Sequence, residues 1–81
     1  MRLDFTPHFP RSYNKAPVHI QHAFDKQSLL LLDNLRHPSL RAKKYDESRD
    51  LWQARVTGNW RFYYKILRDV YLLEEIKAHP K

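Results

Sequence analysis

The stretch from Leu51 to Lys65, LWQARVTGNWRFYYK, has the pattern of a β-hairpin. Apolar and polar residues alternate in both halves, and Gly58-Asn59 between them favours a tight turn. A two-residue loop at Gly58-Asn59 would set the apolar residues of one strand against polar residues of the other. A three-residue loop, Thr57 to Asn59, gathers the apolar residues on one face, and pairing register follows the buried face. We therefore predict the three-residue loop, with Asn59 in the left-handed conformation that it tolerates.

The two faces of this predicted hairpin differ in character. On the polar face, Arg55 lies opposite Arg61 and Gln53 lies opposite Tyr63. Like charges placed directly opposite each other destabilise a sheet by roughly 0.2–1 kcal/mol, so an anion from outside the chain is the natural candidate to balance the arginines. The apolar face consists of the pairs Val56–Trp60, Ala54–Phe62 and Trp52–Tyr64.

Length and composition limit the class of protein. A chain of 81 residues is expected to form one domain with a small core. It has no cysteine, which excludes disulfides and thiolate metal sites. The longest apolar run, Leu29 to Leu32, is far too short to span a membrane. The N-terminus, MRLDF, does not resemble a signal peptide, so a cytoplasmic location is the default expectation.

The positive charge of the chain is concentrated in one region. The formal net charge is +6, and residues 36–65 hold eight basic residues against three acidic ones, a net +5. A basic region with interleaved aromatic residues indicates a nucleic-acid partner. The alternative is a solvated basic face that keeps the protein soluble, and charge alone does not choose between the two.

Upstream of the hairpin, the pattern predicts a strand and two helices. The strand covers residues 1–5, the short helix Phe9 to Lys15, and the longer helix Pro17 to about Asn34 or Arg36. Apolar residues at helical spacing form a stripe on the longer helix, and its leucine-rich C-terminal half is expected to be largely buried. The stripe contains Ile20, Phe24, Leu31 and Leu35, widened by Leu29, Leu30 and Leu32.

Downstream of the helices, residues 37–50 carry no clear period and are expected to form a loop, with a short strand near 40–44. A last strand is predicted from Val70 to about Ile76. This order predicts an α+β fold: an N-terminal strand and a two-helix hairpin packed on one face of a small antiparallel sheet of about four strands. The arginine face of the hairpin would remain open.

Five segments of the chain together resemble the RelE/ParE superfamily of bacterial type II toxins, in particular the RelE-like mRNA interferases. They are FPRSYNKAP at 9–17, HPSLRAKK at 37–44, LWQARV at 51–56, NWRFYYKI at 59–66 and IKAHP at 76–80. The resemblance covers nearly the whole chain in the expected order. It implies a single RelE-like toxin domain over residues 1–81, with a helical hairpin against a small antiparallel sheet.

The resemblance also implies an activity and partners. The implied function is a metal-independent endoribonuclease without a cofactor, which cleaves mRNA, often on the ribosome, and is silenced by a cognate antitoxin. The implied partners are that antitoxin, mRNA and the ribosome with its rRNA, but no membrane and no metal. Two alternatives within the superfamily stay open: a ParE-like toxin that binds DNA gyrase, and a nuclease-dead member that binds only its antitoxin or operator DNA.

Catalytic positions follow from the same resemblance. Matching the motifs assigns catalytic roles to Arg55, Arg61 and His79, which would surround the scissile phosphate on the open sheet face. The residue two positions before Arg55 is lysine in well-studied RelE members and is Gln53 here. Some members have a further C-terminal helix that carries a catalytic tyrosine; because this sequence stops at Lys81, we expect that helix to be absent.

These residue types suit the implied chemistry. Arginine presents a planar fork of donors that fits phosphate oxygens, and donors placed where charge develops commonly contribute about 3–4 kcal/mol each. Histidine exchanges protons near neutral pH, so His79 is predicted to act as general acid or base. The alternatives are two solvated strand arginines and an exposed histidine near a frayed terminus.

Further candidates for RNA contact lie in the basic region and on the arginine face. Tyr63 is predicted to stack on a base, with packing against the open edge as the alternative. His37 is expected to cap the preceding helix, and His19 and His22 lack a third metal ligand. The predicted RNA-binding residues are Arg41, Lys43, Lys44, Gln53, Tyr63 and Lys65.

Overall fold

The computed structural model describes residues 1–79 as two α-helices, a short 3-10 helix and five strands. The 3-10 helix, Pro38–Leu40, follows the second α-helix after a four-residue connection, residues 34–37. The other elements are β1 (Arg2–Phe5), α1 (Phe9–Lys15), α2 (Val18–Asp33), β2 (Lys43–Asp46), β3 (Leu51–Thr57), β4 (Trp60–Leu67) and β5 (Val70–Ala78).

The five strands form one sheet in the order β1-β5-β4-β3-β2. Both α-helices lie on one face of it, so the predicted α+β class is confirmed. The predicted count of about four strands is wrong, because Lys43–Asp46 forms a complete edge strand on β3. The sheet is also mixed rather than wholly antiparallel, since β1 pairs in parallel with β5 and the other three pairings are antiparallel.

The β3–β4 hairpin has the predicted register over most of its length. Trp52 pairs with Tyr64, Gln53 with Tyr63, Ala54 with Phe62 and Arg55 with Arg61. The predicted three-residue loop and its Val56–Trp60 pair are wrong, because Thr57 pairs with Trp60 across a two-residue turn and the register shifts between Arg55 and Thr57. This bulge lets a tight turn coexist with an apolar buried face.

The turn itself uses no left-handed residue. Neither Gly58 nor Asn59 has a positive φ, whereas Arg41, Asp50 and Arg68 do. The prediction of a left-handed Asn59 is therefore wrong, and the strained backbone lies elsewhere in the chain.

The core lies between the helices and the apolar face of the sheet. Phe24 of α2 meets Phe62 of β4 edge to face, with ring centroids 5.2 Å apart. Gln27 is buried among these residues, and its Nε2 donates to the carbonyl oxygen of Arg55 at 2.9 Å. The fully buried side chains include Leu31, Leu40, Ala54, Phe62, Tyr64 and Leu73.

The leucine run of α2 is only partly buried. Leu31 is fully buried and Leu30 and Leu32 are partly buried, in line with a largely buried C-terminal half, but Leu29 of the predicted stripe is 66% exposed. Four consecutive helical residues point in directions that span most of a turn, so one of them must face away from the sheet. No helix within residues 1–79 is long and apolar enough to cross a membrane.

The segment after α2 positions the basic residues that follow. Asn34 is the C-cap, and its N–H donates to the carbonyl of Leu30 at 2.7 Å. His37 does not cap α2 as predicted, because its Nδ1 accepts from the N–H of Ser39 and so caps the 3-10 helix. Arg41 is the C-cap of that helix; it adopts φ 46° and ψ 44° and turns the chain toward β2.

Candidate nucleic-acid interface

The two arginines of the hairpin lie on the face of the sheet away from the helices. Arg55 and Arg61 are directly opposed, and opposed residues share a face. Their neighbours Ala54 and Phe62 are completely buried beneath the helices. Because successive strand residues point to opposite faces, both arginines point outward.

A cavity of about 280 Å³ opens beside this pair. It draws residues from β2, β3 and β4 and from the segments after the 3-10 helix and after β5, and all of them are residues that the sequence predicted as site residues. Four of the six are cations and none is acidic. The lining residues are Arg41, Lys43, Gln53, Arg55, Arg61 and His79.

Local pairing explains how distant residues meet at this cavity. Lys43 of β2 pairs with Gln53 of β3. The left-handed backbone of Arg41 brings the end of the 3-10 helix to the same edge. The N–H of His79 donates to the carbonyl oxygen of Asn59 at 2.6 Å, which ties the end of β5 to the hairpin turn.

The cavity carries positive charge that no acidic residue within 1–79 neutralises. Among the residues that the structure describes, Arg41, Lys43, Arg55 and Arg61 have no carboxylate within ion-pair distance. Burial of the Arg55 guanidinium lowers its pKa, and the charges of Arg41 and Arg61 lower it further. The Nε atom of Arg55 is buried and has no hydrogen-bond partner in the described part of the chain. An anion placed here would relieve both the repulsion and the missing hydrogen bond.

The hairpin turn holds the guanidinium of Arg61. Its Nη1 donates to the carbonyl oxygens of Thr57 at 2.8 Å, Trp60 at 3.1 Å and Gly58 at 3.2 Å. These acceptors are neutral, so Arg61 keeps its full charge while its position is restricted. The structure therefore presents a preorganised cation at one wall of the cavity.

Two predicted RNA-binding lysines lie outside this cavity. Lys44 pairs with Asp50, a hydrogen bond that raises the pKa of the lysine, and its ammonium lies 5.3 Å from the centre of the Trp52 ring. Lys65 forms an ion pair with Glu74 at 3.9 Å. Both charges are thus partly balanced inside the chain.

Tyr63 also lies outside the cavity, in a covered position on the arginine face. The residue is only 2% exposed, and burial raises the pKa of its hydroxyl. Its ring centroid lies 5.0 Å from that of Tyr45 on β2 and 5.1 Å from the ammonium of Lys77 on β5. Stacking of Tyr63 on a base would first require these neighbours to move.

Two basic residues near the site were not predicted from sequence. Lys77 pairs with Arg61 from the β5 side, but the last strand was expected to end at about Ile76. Lys26 of α2 is exposed and lines a second cavity of about 490 Å³ that shares Arg41 and Arg55 with the first. In both cases the missing information was which strand or loop lies beside the residue.

Within residues 1–79 no three histidine, cysteine or acidic side chains are grouped to hold a metal ion.

The fold is shared with several solved toxin structures. YafQ from E. coli matches with a TM-score of 0.78 at 17% identity, covering 94% of this chain and 90% of YafQ. The toxin in a RelB–RelE antitoxin–toxin complex from Methanococcus jannaschii matches with a TM-score of 0.77 at 17% identity, covering 93% and 88% of the two chains. A YoeB/ParE toxin from Agrobacterium tumefaciens matches with a TM-score of 0.80 at 13% identity, covering 99% and 100%.

The chain has the RelE/ParE toxin fold. No protein-family model matches the sequence, and no curated protein matches it either. The resemblance inferred from the motifs is therefore confirmed at the level of the fold, where the described strands and helices superpose on RelE and YoeB/ParE toxins.

Proposed function

We propose that this protein is the toxin of a toxin–antitoxin pair and that it cleaves mRNA as a metal-independent endoribonuclease, on the ribosome and in the cytoplasm. The observation that carries the proposal is the cavity on the open face of the sheet, where four cations and His79 converge with no acidic residue in the lining. The fold shared with YafQ and RelE toxins supports the same conclusion.

The proposed reaction uses the substrate's own 2′-hydroxyl as nucleophile. Its oxygen forms a bond to the adjacent phosphorus, the bond from phosphorus to the 5′-oxygen breaks, and a 2′,3′-cyclic phosphate remains. Arg55 and Arg61 bind the non-bridging oxygens, where negative charge increases in the transition state, and each such donor contributes about 3–4 kcal/mol. His79 donates a proton to the departing 5′-oxygen, and the proton of the 2′-hydroxyl is released to water.

The same cations suit an antitoxin. We propose that an antitoxin segment folds over the open face and places carboxylates against Arg41, Lys43 and Arg55, which removes the site from RNA. The M. jannaschii relative was solved as a complex with its antitoxin RelB, which supports a protein partner of this kind.

Induced expression in bacteria that lack an antitoxin tests the proposal. Primer extension on cellular mRNA should show new 5′ ends, and growth should stop, with the wild type and with Lys15→Ala. Lys15 is an exposed cation at the end of α1 and serves as the matched control, because it lies outside the cavity. Arg55→Ala should give neither effect.

Two outcomes would contradict the nuclease. Arrested cells with intact mRNA and gyrase-dependent DNA breaks would assign the ParE-like activity instead. Cells that grow normally while the folded wild-type protein accumulates would favour a member that only binds its antitoxin.

A further inference from the structure

The side chain of Gln53 is an unpartnered acceptor in a cavity otherwise dominated by donors. The residue is only 7% exposed and lines the cavity with the four cations. Its Oε1 is buried and accepts no hydrogen bond from any residue that the structure describes. Leaving a buried polar atom without a partner costs about 1–3 kcal/mol, so a ligand that supplies a donor at this point would recover that energy.

The neighbours of Gln53 do not fill this role. Lys43 lies directly opposite it on β2, and Arg55 follows two residues later on the same face of β3. Neither donates to Oε1, and the Nε of Arg55 is itself buried and unpartnered. The site thus has a buried acceptor without a partner among the described residues, and several cationic donors that internal contacts leave available.

This combination selects among anionic ligands. A phosphodiester offers acceptors only, and so does a carboxylate, so neither satisfies Gln53. A ribonucleotide linkage supplies both a hydrogen-bond donor and an anion, because the 2′-hydroxyl lies beside the negatively charged 3′-phosphate. Gln53 and Arg55 are about 7 Å apart along the strand, a spacing that lets two long side chains converge on adjacent groups of one nucleotide.

We propose that Oε1 of Gln53 accepts a hydrogen bond from the ribose 2′-hydroxyl of the nucleotide whose 3′-phosphate is bound by Arg55 and Arg61. Gln53 then determines the preference of the site for RNA over DNA. This inference rests on the proposed function, since it takes the bound phosphate to belong to a nucleic-acid strand. Because a neutral amide does not take up the proton, Gln53 orients the hydroxyl and leaves the proton transfer to other groups.

The proposal is specific to glutamine at this position. A protonated lysine, the residue found there in well-studied RelE members, has three donors and no acceptor. It therefore cannot make the hydrogen bond assigned to Gln53. Glutamate would keep an acceptor but would add a negative charge beside the phosphate.

Fluorescence anisotropy with three labelled oligonucleotides of one sequence tests the assignment on the purified full-length chain. The probes are RNA, 2′-fluoro RNA, which keeps a ribose-like sugar but lacks the donor, and DNA. A single hydrogen bond corresponds to about a three- to tenfold difference in Kd. The wild type should bind RNA more tightly than the 2′-fluoro probe by that factor. Gln53→Met, which keeps the length and loses the acceptor, should bind RNA and the 2′-fluoro probe equally.

The control measurements keep the outcomes distinct. Thermal unfolding should show that Gln53→Met melts no lower than the wild type, since the variant removes an unpartnered amide. If Gln53→Met does not fold, Gln53→Leu takes its place, with the same expected result. Denaturing gels check that the RNA probe stays intact during the titration. If the wild type cleaves the probe, the binding measurements are made with His79→Ala, which retains Gln53 and is expected to cleave far more slowly.

Equal binding of RNA and 2′-fluoro RNA by the wild type would overturn the inference, and so would a Gln53→Met variant that keeps the preference. Cleavage of mRNA in cells combined with equal binding would overturn this inference alone. Selective binding through Gln53 without any cleavage would support it and refute the nuclease.

Discussion

Arg55 and Arg61 face each other across the β3–β4 hairpin and line one cavity, and neither has a carboxylate partner among residues 1–79. Directly opposed like charges destabilise a sheet. Burial and the neighbouring charges lower the pKa of Arg55, which shows that its charged form is disfavoured in the folded chain. The fold thus keeps an unfavourable pair at the place where an anion would make it favourable.

Replacing Arg55 by methionine should raise the melting temperature while abolishing RNA binding. The variant removes the repulsion from Arg41 and Arg61 but retains the stem that packs on the sheet. Added salt should raise the melting temperature of the wild type more than that of Arg55→Met, since salt screens the repulsion. Circular dichroism melts at low and moderate salt measure both effects, with Lys15→Met as control. A variant that melts below the wild type would show that the pair stabilises the fold.

Arg41 should show opposite effects of substitution on stability and binding. Its φ of 46° lies in the left-handed region, which costs a residue with a Cβ about 1–2 kcal/mol. Arg41→Gly should therefore be about 1 kcal/mol more stable than Arg41→Ala, after allowance for the flexibility of glycine in the unfolded chain. Both variants should lose the same affinity for RNA, because both lose the guanidinium. Urea unfolding and anisotropy check the two statements, and equal stability of the variants would argue against backbone strain at this residue.

Tyr64 predicts a specific dependence of stability on pH. Its hydroxyl is buried with no hydrogen-bond partner from residues 1–79, and burial raises its pKa far above the usual value. The folded chain therefore keeps this proton at a pH where the unfolded chain, with a tyrosine pKa of about 10, has lost it. Stability that is fully present below about pH 10 should fall as the pH rises further.

Tyr64→Phe should reduce that alkaline loss and should be neutral, or stabilising by up to about 1 kcal/mol, at pH 7. Urea unfolding at neutral and alkaline pH measures the change, with Tyr45→Phe, an exposed tyrosine, as the matched control. Because burial also raises the pKa of Tyr71, part of the loss should remain. If stability fell with pH in Tyr64→Phe as steeply as in the wild type, water would have to reach the Tyr64 hydroxyl in the folded chain.

His79→Ala should separate catalysis from binding. Loss of a general acid typically lowers the rate 10²- to 10⁴-fold, so single-turnover cleavage should fall by about that factor. RNA affinity should change little, because Arg55 and Arg61 remain and the N–H of residue 79 still donates to Asn59. Equal cleavage by variant and wild type would remove His79 from the mechanism, and a parallel loss of affinity would make it a binding residue.

The hairpin register was predictable because alternation in Leu51 to Lys65 specifies which residues must be buried together. The turn was not, since the bulge before Thr57 lets a two-residue turn and the apolar face coexist, and no local pattern distinguishes that solution from a three-residue loop. The partners of Arg61 were equally hidden, because backbone carbonyls of a turn carry no sequence information.

Pairing between segments far apart in the chain was the second feature that the sequence did not predict. The strand at Arg2–Phe5 was predictable from its alternation, but its parallel partner β5 lies near the opposite end of the chain. The residues that line the cavity were predicted from the motifs that contain them. The positions of Lys26 and Lys77 near the site could not be predicted, because they depend on which strands and helices become neighbours. The burial of Tyr63 likewise depends on Tyr45 of β2, a strand whose position at the edge was not foreseen.

The pairing of β1 with β5 has a consequence for biosynthesis. Leu3 of β1 pairs with Tyr71 of β5, so β1 has no partner until β5 has been synthesised and has left the exit tunnel. The cationic cavity has the same requirement, since His79 closes it from beyond β5. A nascent chain therefore cannot present its finished anion-binding surface while it is still being translated through the last strand.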